Sequence, residues 1–189
     1  MEAFLVSTGV VALGEMGDKT QLLAIVLAAK YRKPWPIVAG ILLATVLNHA
    51  LAGAVGAWVA RAMGPDVLRW VLGLSFLAMA VWMLVPDQVD DEVPGSERHW
   101  GVFVTTVLAF FLAEMGDKTQ IATVALAARF PDWLAVVAGT TLGMMAANVP
   151  AVFMGEAIAR KVSMRLVHAI AAGIFAVVGV ITLVGGLSW

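Results

Sequence analysis

Long apolar runs alternate with short polar clusters along the whole of this chain. The runs cover about 3–29, 36–60, 67–86, 101–129, 134–159 and 166–187. The breaks are KYRKP at 30–34, RAMGPD at 61–66, DQVDDEVPGSERH at 87–99, RFPD at 129–132 and RKVSMR at 160–165. A hydrocarbon core of about 30 Å needs roughly 20 apolar helical residues, and all six runs meet that length. The pattern predicts an all-α polytopic membrane protein with six transmembrane helices. Trp35, Trp70, Trp100, Trp133 and Trp189 fall near the proposed ends, where interfacial tryptophan is expected, and Trp58 and Trp82 sit a little further inside.

Composition agrees with the periodicity. The chain has 189 residues, 61% hydrophobic and 13% charged, with a mean hydropathy of +0.93. A soluble domain of this size carries about twice that charge density. The net charge of −1 suggests neither a nucleic-acid partner nor a polybasic lipid-binding surface. With no cysteine there are no disulfides or thiolate metal sites, and the redox compartment cannot be read. The opening stretch MEAFLVSTGVVALGE lacks a basic n-region and runs on without a break, so it is read as a membrane helix rather than a cleaved signal.

The second half repeats the first. EMGDKTQ occurs at 15–21 and again at 114–120, an offset of 99 residues. The same offset aligns Leu27-Ala28-Ala29 with Leu126-Ala127-Ala128 and Val38-Ala39-Gly40 with Val137-Ala138-Gly139. It also aligns Gly56 with Gly155, Arg61 with Arg160 and Phe76 with Phe175. The expected organisation is therefore a three-helix repeat over 1–86, an acidic cytoplasmic linker over 87–100, and a second three-helix repeat over 101–189. An odd number of spans per unit makes the second unit enter from the opposite side, giving the inverted repeat common among secondary transporters. That inference requires each motif segment to be a span and not a re-entrant loop.

Orientation follows from lysine and arginine in the short loops. Lys30, Arg32, Lys33, Arg98, Arg160, Lys161 and Arg165 gather on one side, against Arg61, Arg69 and Arg129 on the other. The richer side is expected in the cytoplasm, with both termini outside.

The repeated motif carries the candidate chemistry. On a continuous helix Glu15 and Asp18 are i,i+3 neighbours, Lys19 is i,i+4 from Glu15, and Gln21 extends the stripe. Glu114, Asp117, Lys118 and Gln120 repeat it. Gly17 and Gly116 lie off that stripe, and a glycine at mid-span permits close helix approach or local unwinding that frees carbonyls. A carboxylate facing lipid costs several kcal/mol, about 3 on insertion scales, so all four acids should turn inward. Each motif has two acids against one lysine, so the pair leaves a surplus of two negative charges. One divalent cation, or two protons in its place, balances that surplus. Carboxylate and amide oxygens are hard ligands, suited to Ca²⁺, Mn²⁺ or Mg²⁺. Metal and protons would displace one another from such a site, and alternate exposure of it to the two sides is antiport. The expected ligands are Glu15, Asp18, Glu114 and Asp117, with Gln21 and Gln120 as weaker oxygen donors. Lys19 and Lys118 are expected to balance charge. The competing reading pairs each lysine with its own motif's acid, as a salt bridge that fixes packing.

Other polar positions could line the pathway. Asn48 and His49 lie mid-run, and the offset pairs His49 with Asn148. Each could supply a ligand or an interhelical hydrogen bond. Thr20 and Thr119 could do the same, although a helical threonine usually bonds its own backbone. Pro150 should kink its helix and free nearby carbonyls. His168, near a run end, reads as interfacial rather than as a proton relay, and Glu156, whose counterpart is Ala57, as interfacial or a vestibule charge. Gly40-xxx-Ala44, Ala52-xxx-Gly56 and Gly139-xxx-Gly143 favour close helix packing; they could serve a homodimer, but their more economical use is inside one chain.

The paired segments E-M-G-D-K-T at 15–20 and 114–119 resemble the signature E-x-G-D-[KR]-[TS] of the calcium:cation antiporter-2 family. The resemblance covers nearly the whole chain. It implies that Glu15, Asp18, Glu114 and Asp117 form a transport site that exchanges Mn²⁺ or Ca²⁺ for protons or another monovalent cation. Eukaryotic members carry an extra N-terminal segment, so the compact form implies a bacterial plasma-membrane exporter. The expected function is antiport of a divalent cation, Mn²⁺ first and Ca²⁺ next, with no resident cofactor and the bilayer as its surroundings. The alternatives are a divalent-cation channel and a non-transporting scaffold. No HExxH or GxSxG motif supports an enzyme.

Overall fold

The computed structural model describes residues 1–85, 101–154 and 164–185. The linker at 87–100, Glu156, Arg160, Lys161 and Trp189 fall outside the described residues. Among the described residues every element is a helix: α1 (Glu2–Glu15), α2 (Lys19–Tyr31), α3 (Pro34–Ala62), α4 (Pro65–Trp82), α5 (Val102–Glu114), α6 (Lys118–Arg129), α7 (Trp133–Met154) and α8 (Met164–Val184). Proline opens α3 and α4 at the first helical position, where its missing N–H costs nothing. Among the described residues four helices are long and apolar enough to cross a membrane: α3, α4, α7, and α8 from Arg165.

The motif segments correct the sequence-based expectation. The apolar runs 3–29 and 101–129 are not continuous helices. Each is cut in two within its motif, because Gly17 (φ 81°) and Gly116 (φ 74°) adopt the left-handed backbone that glycine alone takes without penalty. Glu15 and Glu114 end one helix; Lys19 and Lys118 start the next. The acids therefore do not share an i,i+3 stripe. At 12 to 14 residues, none of α1, α2, α5 and α6 spans about 30 Å at ~1.5 Å per residue.

The two halves of each broken helix run in succession along one long partner. A Cβ on Gly139 of α7 would lie 2.5 Å from the Phe4 carbonyl oxygen, and one on Gly143 2.6 Å from that of Thr8. Beyond the break, Gln21 of α2 donates to the Ala147 carbonyl at 3.0 Å. So residues 4, 8 and 21 meet α7 at 139, 143 and 147 in order. The same progression follows α3. A Cβ on Gly40 would lie 2.7 Å from Thr106 Cβ, Asn48 donates to the Phe111 carbonyl at 3.1 Å, and a Cβ on Gly56 would collide with the Val124 carbonyl. The small residues Gly40, Gly56, Gly139 and Gly143 thus serve packing within the chain.

Other contacts join α4 to α8, α3 to α7, and α1 and α4 to α6. Phe76 stacks on Phe175, residues that the 99-residue offset equates, with ring centroids 6.3 Å apart. Polarity is arranged as a bilayer demands. Leu42, Leu47, Leu51 and Val55 point out from α3, whereas Thr45, Asn48 and His49 on the same helix are fully buried.

Candidate cation site

The breaks place the acids of both motifs inside the bundle. Glu15 and Glu114 are fully buried at the C-terminal ends of α1 and α5, and Asp18 and Asp117 are buried at the N-cap positions of α2 and α6. At each break a glutamine takes up a backbone donor that helix termination leaves without an intrahelical partner. Gln21 Oε1 accepts from Gly17 N–H at 3.0 Å, and Gln120 Oε1 accepts from Gly116 N–H at 2.7 Å. The carboxylates of Asp18 and Asp117 stand at helix N-termini, where the dipole favours negative charge.

Glu15, Glu114 and Asp117 converge. Each offers one carboxylate oxygen, and the three oxygens lie within 4.8 Å of one another. Asp18 does not join that close set, although it lies within electrostatic reach of Glu114 and Lys19. Lys19 reaches across to the other motif, its Nζ 2.9 Å from Asp117 Oδ1. The alternative in which Lys19 pairs only within its own motif is thereby corrected: the ion pair links the halves. Lys118, buried, donates to the Val85 carbonyl at 3.0 Å.

The threonines hold the glutamates. Thr20 donates to Glu15 Oε2 at 2.6 Å and Thr119 to Glu114 Oε2 at 3.1 Å. Neither hydroxyl bonds back to its own helix in these contacts, because the helix break brings the i−5 carboxylate into reach. Thr119 and Asn148 also approach Glu15. Asn148 donates from Nδ2 to the Met144 carbonyl at 3.1 Å. Among the described residues, Glu15 Oε1, Glu114 Oε1, Asp117 Oδ2 and Asn148 Oδ1 are buried acceptors without a hydrogen-bond donor. The three carboxylate oxygens, within 4.8 Å of one another, fit a hard divalent cation.

Asn48 holds the Phe111 carbonyl, in the last turn of α5. Gln21 divides its amide between the Gly17 N–H and the Ala147 carbonyl, three residues before Pro150, where proline weakens the helical ladder. His49 is buried, its ring nitrogens have no hydrogen-bond partner among the described residues, and it does not join the close acidic set. His168 makes a contact that the motif spacing does not announce. Its Nε2 lies 3.0 Å from the Met16 carbonyl oxygen, at the first motif's break. The sequence held one hint: the offset equates His168 with Arg69, another basic residue.

The family model described as "Divalent cation/proton antiporter GDT1" matches residues 3–91 and 102–189. A Vibrio cholerae serotype O1 protein named "Putative manganese exporter" is 51% identical over 183 residues, covering 96% of this chain and 90% of that protein. "GDT1-like protein sll0615" of Synechocystis is 28% identical over 201 residues, covering 96% and 97%. "GDT1-like protein 3" of Oryza sativa subsp. indica is 30% identical over 200 residues, covering 92% and 71%. No solved structure matches. Both halves of the chain fall under one model, and each half contributes a broken, buried acidic motif to one cluster: the chain belongs to the GDT1 family of divalent cation/proton antiporters.

Proposed function

We propose that this protein exports a divalent cation from a bacterial cell in exchange for protons, with Mn²⁺ the preferred substrate and Ca²⁺ next. The observation that carries the reading is the convergence of Glu15, Glu114 and Asp117, drawn from two motifs 99 residues apart, with ligand oxygens within 4.8 Å. Three carboxylates less the Lys19 ammonium leave two negative charges, the balance a divalent ion requires. Manganese comes first because a relative with 51% identity carries that metal in its name.

In this reading Glu15, Glu114 and Asp117 bind the cation and Asp18 completes the site from the second α-helical N-cap as the bundle rearranges. Gln21 and Gln120 hold the breaks open through the Gly17 and Gly116 amides. Asn148 supplies a neutral oxygen. When no cation is bound, buried carboxylates at this spacing repel one another and take up protons instead. Metal and protons then occupy the same groups in turn, which couples their movements in opposite directions.

The architecture proposed is six spans in two inverted units, 1–86 and 101–189, with the two broken helices each counted as one span. Its support is the ordered progression of residues 4, 8 and 21 along α7 and of 106, 111 and 124 along α3. Equivalent partners are exchanged under the offset, as two units related by a pseudo-twofold axis would do. The lysine and arginine count favours a cytoplasmic 87–100 linker with both termini outside.

The test uses purified protein in liposomes under an imposed pH gradient, with Mn²⁺ and Ca²⁺ movement followed for wild type and for Asp117→Asn. Gradient-driven Mn²⁺ flux that the variant abolishes is the expected result. Metal flux indifferent to the gradient would refute antiport.

A further inference from the structure

Met16 (φ −66°, ψ 117°) and Gly17 (φ 81°) stand between Glu15 and Asp18, and the Asp18 N–H donates to the Glu15 carbonyl at 3.1 Å. These are the marks of a type II turn with Met16 and Gly17 at its centre. Type II differs from type I in the orientation of the central peptide, here Met16–Gly17. Glycine accepts either orientation, so residue 17 by itself does not choose between them.

Two side chains grip that one peptide, each on a different edge. Gln21 Oε1 accepts from the Gly17 N–H at 3.0 Å. His168 Nε2 lies 3.0 Å from the Met16 carbonyl oxygen. A carbonyl oxygen only accepts, so Nε2 carries the hydrogen and donates. Gln21 belongs to α2, the helix that the turn opens, whereas His168 comes from α8, 152 residues away. Turning the peptide over breaks both bonds at once. Glu15 directly precedes this peptide, is fully buried, and supplies one of the three clustered carboxylates.

We propose that His168 is a positioning residue for the transported cation: together with Gln21 it fixes the Met16–Gly17 peptide and so keeps Glu15 turned into the acidic cluster. This inference rests on the antiporter reading above. With both edges held, the turn keeps one shape and Glu15 meets the cation without reorganising. Without the donor from α8 the peptide gains a second orientation, and binding must select the competent fraction.

A hydrogen bond that merely tied α8 to α1 would add stability and leave cation binding alone. The experiment measures Mn²⁺ transport in liposomes and amide hydrogen exchange at Gly17 for His168→Phe and His168→Gln. Phenylalanine keeps a flat ring and removes the donor; glutamine keeps an N–H near the position of Nε2. His168→Phe is expected to raise the Mn²⁺ KM about fivefold, as a competent fraction of about one fifth requires, with kcat changed by less than about twofold. Exchange at Gly17 should quicken about tenfold, while Gly116, whose N–H is held by Gln120 in the other motif, exchanges as in wild type. His168→Gln should stay within about twofold of wild type in both measurements. An unchanged KM, equal acceleration at Gly17 and Gly116, or a glutamine variant as impaired as the phenylalanine one overturns the positioning role. Should His168→Phe not fold, His168→Asn takes its place with the same expected shifts, because its shorter amide stops short of the carbonyl. A wild type that moves no Mn²⁺ overturns the antiporter reading and this inference with it. An active wild type whose KM ignores His168 overturns this inference alone.

Discussion

Thr20 donates its hydroxyl to Glu15 Oε2 at 2.6 Å across the break between α1 and α2. Five residues separate the two, a spacing that does not share a face on an unbroken helix. The hydrogen bond exists because Gly17 turns the backbone between them. Thr20→Val keeps the shape and removes the donor, taking a short hydrogen bond from a fully buried carboxylate. The expected cost is about 1–3 kcal/mol in stability, read by thermal unfolding in detergent. Thr20→Ser should recover most of it.

Removing a clustered acid should separate chemistry from folding. Glu15→Gln and Glu114→Gln are nearly isosteric, and each relieves like-charge crowding. Mn²⁺ affinity by calorimetry is expected to fall at least about tenfold, ~1.4 kcal/mol, while the melting temperature stays level or rises. A scaffold whose acids exist only to pair would instead lose stability and show no metal binding in the wild type.

Gly116 needs its left-handed backbone but not its space. At φ 74° a Cβ would meet nothing within 4 Å, so a substitution there is penalised by conformation alone. Gly116→Val should cost about 1–2 kcal/mol and reduce transport, whereas Gly116→Asn, which tolerates this region, should stay closer to wild type. Equal behaviour of the two variants in melting experiments would show that the break is not held by the backbone at this residue.

Gly139 and Gly9 pose the opposite pair. A Cβ at Gly139 would approach the Phe4 carbonyl to 2.5 Å, while one at Gly9 in α1 meets nothing within 4 Å. Gly139→Ala is expected to destabilise by about 1–3 kcal/mol through overpacking of α1 on α7. Gly9→Ala should stabilise slightly, by about 0.5–1 kcal/mol, because alanine loses less backbone freedom in a helix. Paired melting curves check the sign of each.

Protons and metal should compete. Because the cation and the protons claim the same carboxylates, apparent Mn²⁺ affinity must fall as pH falls, and binding at fixed pH must release protons. Titration of Mn²⁺ in two buffers of different ionisation enthalpy measures that release directly. The released count should drop in Asp117→Asn.

Much of this molecule can be read from residue order alone. The apolar runs require helices, the 99-residue offset equates Glu15 with Glu114 and Asp18 with Asp117, and the charge surplus points to a cation. All of these follow from which residues are present and how they are spaced. Whether a motif lies on a helix or interrupts one is a different question. Glycine at positions 17 and 116 permits either, and the choice falls to the partners: Gln21 reaching Ala147 on α7, Asn48 reaching Phe111 from α3. Those contacts span 126 and 63 residues, and no local pattern encodes them. The same is true of Lys19 choosing Asp117 over its own motif, of His168 meeting Met16, and of Asp18 standing apart from the three clustered acids. Hydrophobic period and motif spacing are local properties of a chain, so sequence determines them directly. Which buried charge faces which is decided only when distant helices pack, because in the low-dielectric interior each ionised group must find its partner wherever the fold brings one within reach.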